Sequence, residues 1–195
     1  MGVAGIQARN EAAEVITCDD LVATAHALMD GITLDVASSK FANDYVGAEH
    51  YYTPTDDGLN EQQWFGNVYL FPPSGTYFWE AKRSRWKMTR SSSPTLVSSH
   101  AVWFRKLYKQ WMARQINQGL YFTNCPDMIR YEQKLFDFPV CILRTPPILI
   151  YHIGDEIKKR PTCTSLLVYF PPIDNVGEAT EKFVDLYSPK GRVLL

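Results

Sequence analysis

Asn67-Val68-Tyr69-Leu70-Phe71-Pro72-Pro73-Ser74 is the stretch on which the fold turns. A short apolar run rich in β-formers, bounded by prolines, reads as a strand. Pro72 and Pro73 end it, because neither can donate to a strand ladder. Upstream, Ile32-Thr33-Leu34-Asp35-Val36 has the same character and closes on a carboxylate. Residues 38–60 between these runs are polar and turn-rich, with Asp56-Asp57-Gly58 as the strongest turn signal.

Working outward, residues 18–29 read as a helix capped by Asp19 or Asp20 and closed by Gly31. Residues 78–88 are expected to be helical, 91–94 a loop and 95–97 a strand. The stripe of Trp103, Phe104, Leu107, Tyr108, Trp111, Met112 and Ile116 predicts a helix over 103–119, with Gly119 as its C-cap. Residues 120–122, 140–143, 147–152 and 165–170 read as strands. Residues 155–161 read as a charged hairpin or loop, and 178–186 as a short helix. Alternation of strands and helices gives the fold class: α/β, a single mixed sheet flanked by helices.

Bulk properties narrow the field. The chain of 195 residues, 46% hydrophobic and 21% charged, suits one domain with a sizeable core. A net charge of −1 provides no global attraction to nucleic acid, so any basic surface is local. Cys18, Cys125, Cys141 and Cys163 form no CxxC pair and read as ordinary core thiols of an intracellular, reducing compartment. Cytoplasm, nucleus and organelle stay open. Residues 1–16 look like neither a secretory signal nor a transit peptide. No run approaches the roughly 20 apolar residues that span a bilayer. His26, His50, His100 and His152 are scattered, without HxxxH or HxH spacing, so no metal is expected. Ser98-Ser99-His100 is no triad by adjacency alone.

Four elements then line up in order: Leu34-Asp35-Val36-Ala37 followed by Asn43; Asp57-Gly58-Leu59 followed by Trp64-Phe65-Gly66; the strand into Phe71-Pro72-Pro73-Ser74 followed by Trp79 and Lys82; and Val102-Trp103-Phe104 opening a helix. In this series the chain resembles the phage-type (Dam-like) DNA adenine-N6 methyltransferases, which carry L-D-x-A…N, D-G-L…W-x-G, a strand ending in N/D-P-P-Y, W-x-K and W-F. The similarity covers roughly residues 17–170, with 1–16 as an N-terminal extension and 171–195 as a C-terminal segment of one domain, 1–195. It implies a Rossmann-like S-adenosylmethionine-dependent methyltransferase fold, S-adenosylmethionine as cofactor, and adenine in DNA as acceptor.

In such a sheet the cofactor lies outside the carboxyl ends of the strands. Asp35 stands at one such end, where a carboxylate can accept from a cofactor hydroxyl or amine; a turn or N-cap Asp is the alternative. The resemblance adds Ala37, Asn43 and Asp57 to the cofactor side. It makes Phe71, Pro72, Pro73 and Ser74 the catalytic-motif position. There the family's Asn or Asp accepts from the adenine amine, the prolines stiffen the loop, and the following aromatic stacks on the extruded base. Phe71 has no acceptor and Ser74 no stacking face. Tyr77 or Phe78 is the nearest substitute aromatic.

Lys82, Arg83, Arg85, Lys87 and Arg90 form a local basic run interleaved with Trp79 and Trp86. That mixture suits phosphate contact and base stacking; a solvated helix face with inward tryptophans is the alternative. Three functions follow: a degenerate methyltransferase serving as a weakly active or inactive binding or assembly subunit; an active adenine-N6 methyltransferase with an altered base pocket; or a structural subunit of a larger complex that keeps only the fold. DNA, or a protein partner in a larger assembly, is the expected partner.

Overall fold

A computed structural model describes residues 14–16, 19–89, 96–153 and 156–195. Arg90, Cys18 and the loop expected at 91–94 lie outside them. In chain order the elements are β1 (Glu14–Ile16), α1 (Asp19–Met29), β2 (Leu34–Asp35), α2 (Lys40–Val46), β3 (His50–Tyr51), β4 (Asn67–Leu70), β5 (Thr76–Glu80) and β6 (Arg85–Thr89). Next come β7 (Val97–Ser98), α3 (Ser99–Met112), β8 (Gln118–Thr123), α4 (Met128–Tyr131) and β9 (Val140–Leu143). The chain ends with β10 (Ile148–Ile153), β11 (Glu156–Pro161), β12 (Leu166–Phe170), α5 (Val176–Tyr187) and β13 (Gly191–Leu194).

A seven-stranded mixed sheet in the order β13-β9-β12-β8-β4-β2-β3 organises the α/β fold, and two three-stranded sheets, β1-β10-β11 and β6-β5-β7, stand apart from it, which corrects the expectation of a single sheet. Strands β3, β2, β4 and β8 run parallel. Strand β12 is antiparallel to both β8 and β9, so β9 shares the direction of β8. Side chains alternate between two cores. Val68, Leu70, Tyr121 and Val168 meet α3 through Phe104 and Leu107 on one face. Tyr69, Leu120, Phe122 and Tyr169 meet α1 and α5 through Ala25, Leu28, Phe183 and Tyr187 on the other. The C-terminal segment therefore belongs to the core: α5 covers the sheet and β13, which the sequence did not reveal, extends it.

Strand β4 is where the sequence put it. The chain leaves β2, pairs β3 on one side, then returns to β4 on the other side of β2. That reversal makes the carboxyl ends of β2 and β4 the sheet's topological switch point.

Three further expectations are corrected. Residues 78–88 form no α-helix, only a single 3-10 turn at Ala81–Arg83. They are the β5–β6 hairpin, with Trp79 opposite Trp86 and Phe78 opposite Lys87. Tyr77, Phe78, Trp79 and Trp86 favour a pleated, half-buried surface, and Ser84, at φ 49°, makes the tight reversal. The long helix runs from Ser99 to Met112, not 103–119. Arg114 turns left-handed at φ 54° and ends it, so Gly119 is no C-cap but pairs with Val68 inside the sheet. A Cβ on Gly119 would come within 2.9 Å of Leu107 Cδ1, so the position packs tightly beneath α3. Residues 38–60, read as turns, contain α2 and β3. Ser39 caps α2 by accepting from Ala42 N at 3.0 Å.

Residues 156–161 are the second strand of a hairpin with β10, and β1 pairs the other edge of β10. Among the described cysteines only Cys141 is fully buried; Cys125 is intermediate and Cys163 exposed, so the expectation of uniform core thiols is also corrected. No described helix is long and apolar enough to cross a membrane.

Candidate functional site

The site grows from the carboxyl ends of the parallel strands. Leu34 is paired with Val68 and Asp35 with Tyr69, and Val36 N donates to Tyr69 O at 3.4 Å. That register brings the Asp35–Ala37 loop level with Phe71. On the other flank Tyr69 and Leu70 pair with Leu120 and Tyr121, which sets Phe71 beside Phe122, their rings edge-on at 4.7 Å.

Asp35 is 3% exposed. Burial pushes its carboxyl up to about 6, against the opposing hydrogen bonds of the Ser38 side chain and the Ala37 backbone. The Ala37 N–H reaches Oδ1 at 3.3 Å. Desolvation wins because no cation is among the groups that shift it. A carboxylate offers about four acceptor positions, so these two partners leave capacity for donors on a ligand.

The Asp57-Gly58-Leu59 turn packs directly on this loop. A Cβ on Gly58 would lie 2.4 Å from Val36 O, which fixes glycine there. Asp57 itself is engaged within the turn: both carboxylate oxygens accept from Asn60 Nδ2 at 3.0 Å. Asn60 also clasps Trp86, accepting from its N–H at 2.8 Å and donating to its carbonyl at 3.0 Å. The turn thus holds the β5–β6 hairpin against the site. Lys106 of α3 secures the same segment by donating to Gly58 O, Leu59 O and Gln62 O, each at 2.8 Å.

Asn43 is placed otherwise. It sits on α2, and its side-chain amide donates to Ala48 O and accepts from Ala48 N, closing the turn into β3. Its hydrogen-bonding capacity is largely spent there.

At the motif position Phe71 is half-buried, Pro72 buried, and Pro73 and Ser74 exposed. Gly75 O accepts from Ser99 N at 2.9 Å, tying this loop to the start of α3. Tyr77 is buried. Its hydroxyl faces Trp103 and Ser99, and burial raises its pKa. Ser99 Oγ and Trp103 Nε1 nonetheless lack a hydrogen-bond partner of ordinary geometry. Tyr77 is thus a wall of the core, not a substitute stacking ring; Phe78 is half-buried, and the exposed aromatic of the hairpin is Trp79.

Lys82, Arg83 and Lys87 are exposed and Arg85 half-buried along the same hairpin. Arg85 Nε pairs with Glu80 at 3.1 Å, and Trp79 and Trp86 meet edge-on at 5.4 Å. On a two-residue period, Trp79, Trp86 and Met88 share one face while Phe78, Arg85 and Lys87 share the other.

A buried polar group beside the motif escaped the sequence reading. His100 Nδ1 lies 2.8 Å from Thr123 Oγ1 and 3.4 Å from the Tyr121 hydroxyl. Burial drops its pKa to about 4, so its imidazole is neutral at neutral pH. The available signal was Thr123 itself, a polar residue at the carboxyl end of a buried strand. Among the described residues no group of three or more His, Cys, Asp or Glu is placed to hold a metal. No protein-family model, curated protein or solved structure matches this chain.

Proposed function

We propose that the protein is a degenerate relative of the S-adenosylmethionine-dependent DNA adenine-N6 methyltransferases, acting as a binding or assembly subunit with little or no methyl transfer. The observation that carries this reading is the pairing, across the switch point, of a buried carboxylate at Asp35 with a hydrocarbon ring at Phe71. The first suits a cofactor; the second removes the acceptor that the chemistry needs.

Asp35 is the residue best suited to S-adenosylmethionine, accepting from its hydroxyl or amine groups, with the Ala37 loop beside it. When bound, that cofactor supplies an electrophilic methyl group. The sulfonium carries no phosphate, so the lack of a glycine-rich phosphate cradle is neutral. The reversal of β12 between β8 and β9 makes the sheet mixed rather than uniformly parallel, and a mixed sheet is compatible with this reading.

On the acceptor side, the exocyclic amine of adenine is a poor nucleophile because its lone pair is delocalised. Phe71 packs on Phe122 and accepts nothing. The Pro72 carbonyl remains as a backbone acceptor. Losing one positioned polar group costs on the order of 2.7–4 kcal/mol in a transition state, and losing a stacking ring a further 1–3 kcal/mol or so. Together these amount to several orders of magnitude in rate.

Calorimetric titration of the full chain with S-adenosylmethionine, alongside transfer of a radiolabelled methyl group to duplex DNA, tests the reading. Cofactor binding without appreciable transfer is expected. Robust methylation of adenine, abolished by changing Pro72 and Pro73, overturns it in favour of an active enzyme. Absence of both cofactor and DNA binding overturns it in favour of a subunit that keeps only the fold.

A further inference from the structure

A second basic arm rises from the same rim as the β5–β6 hairpin. Strand β9 runs in the direction of β8 and delivers the chain to the carboxyl end of the sheet, where the β10–β11 hairpin begins. Its base is fastened there: Thr162 N donates to Pro147 O at 2.9 Å, and Asn124 Nδ2, just beyond β8, donates to Thr162 Oγ1 at 3.0 Å. His152 of β10 stacks on Phe41 of α2 with centroids 4.1 Å apart.

The two arms straddle the sheet. Tyr77 and Trp86 of the first pack into the core on the α3 face, whereas Leu149 and Tyr151 of the second pack into the core on the α1 and α5 face. Between them lies the rim that carries Asp35, Phe71 and Thr123.

Strand β11 is an outer edge, and all six residues from Glu156 to Pro161 are exposed. Three successive residues, Lys158, Lys159 and Arg160, are cationic, and among the described residues only Lys158 is ion-paired, with Glu156. Protecting an open edge needs one lysine or a proline; Pro161 already stands there, so a run of three cations exceeds that need.

The arms also concentrate charge. The described residues of the two arms, 76–89, 148–153 and 156–161, hold seven of the chain's 20 Lys and Arg and two of its 21 Asp and Glu, leaving the remainder six charges negative. Such polarisation steers a polyanion to one end of the molecule.

We propose that β11 is a backbone clamp for duplex DNA, holding phosphates through Lys158, Lys159 and Arg160 while the duplex lies across the rim between the two arms. This rests on the nucleic-acid side of the function proposed above. Strand β11 offers cations and no aromatic ring, so it contacts phosphates and not bases; the exposed Trp79 on the other arm is the base-facing element. Contacts to phosphate position a duplex without reading its sequence.

The test is anisotropy of labelled duplexes of several sequences, titrated with the full chain over a range of salt. The variants are Lys158→Glu/Lys159→Glu/Arg160→Glu, its Gln counterpart, and Lys82→Gln/Arg83→Gln/Lys87→Gln, each first checked for an unchanged melting transition. The β11 variants are expected to bind every duplex at least about tenfold more weakly, with a slope of log K against log salt shallower by about two to three. Wild-type affinity and slope in the β11 variants, with loss confined to the β5–β6 variant, overturn the clamp and leave the DNA reading standing. Failure of the unmodified chain to bind duplex at low salt overturns both. Competition by polyglutamate as strong as by DNA overturns the clamp in favour of an acidic protein partner.

Discussion

Phe71 and Phe122 touch edge-on, ring centroids 4.7 Å apart at 69°, across neighbouring parallel strand ends. An aromatic ring at this place both fills the position expected of a hydrogen-bond acceptor and joins the core beneath it. Phe71 packs against the cluster that contains Tyr69, Leu120 and Phe122. Its retention is thus explained by packing alone, without reference to transfer chemistry.

Phe71→Asn should then separate stability from activity. Loss of the edge-on pair and part of the ring's buried area should destabilise the fold by about 1–3 kcal/mol, read as a lower urea midpoint. Combined with Ser74→Tyr, the same change restores an acceptor and a stacking face, and methyl transfer should rise above the unmodified chain. A double variant that is less stable and no more active would mean that the cofactor side has also decayed.

Asp35 and His100 should impose opposite pH dependences. The folded value of Asp35 is raised from 3.8 to about 6, so its stability contribution is present below its unfolded value and lost as pH rises through 6. The folded value of His100 is lowered from 6.5 to about 4, so its contribution is present above its unfolded value and lost as pH falls through 4. Each shift corresponds to about 3 kcal/mol across its range. Between pH 4 and 6 they largely cancel. Urea midpoints of Asp35→Asn should therefore fall with acidification across that window, and those of His100→Asn should rise. Parallel profiles in the two variants would refute the assignment.

Strands β2 and β4 were legible because they are short apolar runs with hard stops, a carboxylate for one and two prolines for the other; that they flank the switch point emerges only from their pairing order. The hairpin at 78–88 was not legible. Its charges fall at helical spacing, while the evidence for a strand lies in pairings such as Trp79 with Trp86 that form only after Ser84 turns. The end of α3 was misread because the apolar stripe continues to Ile116, which is buried from the following turn. Asn43 and Asp57 were placed by motif alone, and a motif cannot show that Ala48 and Asn60 consume their hydrogen bonds.

Gly58 is a tight contact between two of those motif pieces. Gly58→Ala forces a methyl group to within 2.4 Å of Val36 O unless the backbone moves. Overpacking of this kind costs about 1–3 kcal/mol. The displaced group is the loop that carries Asp35 and Ala37, so S-adenosylmethionine binding should weaken beyond what the loss of stability explains. Thermal melting and calorimetry on the same preparation check both; an unchanged cofactor affinity would place the ligand away from this loop.

Trp79 should behave in the reverse way. It is 51% exposed and its principal ring contact is Trp86, so Trp79→Ala should cost no more than about 1.5 kcal/mol of stability. If its free face stacks on a base, single-stranded or distorted DNA should lose about 1–3 kcal/mol of binding. Because no phosphate contact is removed, the salt slope should stay as it was. Fluorescence quenching and anisotropy at two salt concentrations make the comparison. A variant that binds such DNA as tightly as the unmodified chain would return Trp79 to the role of a hairpin-stabilising ring and leave the base-facing side of the rim without its aromatic.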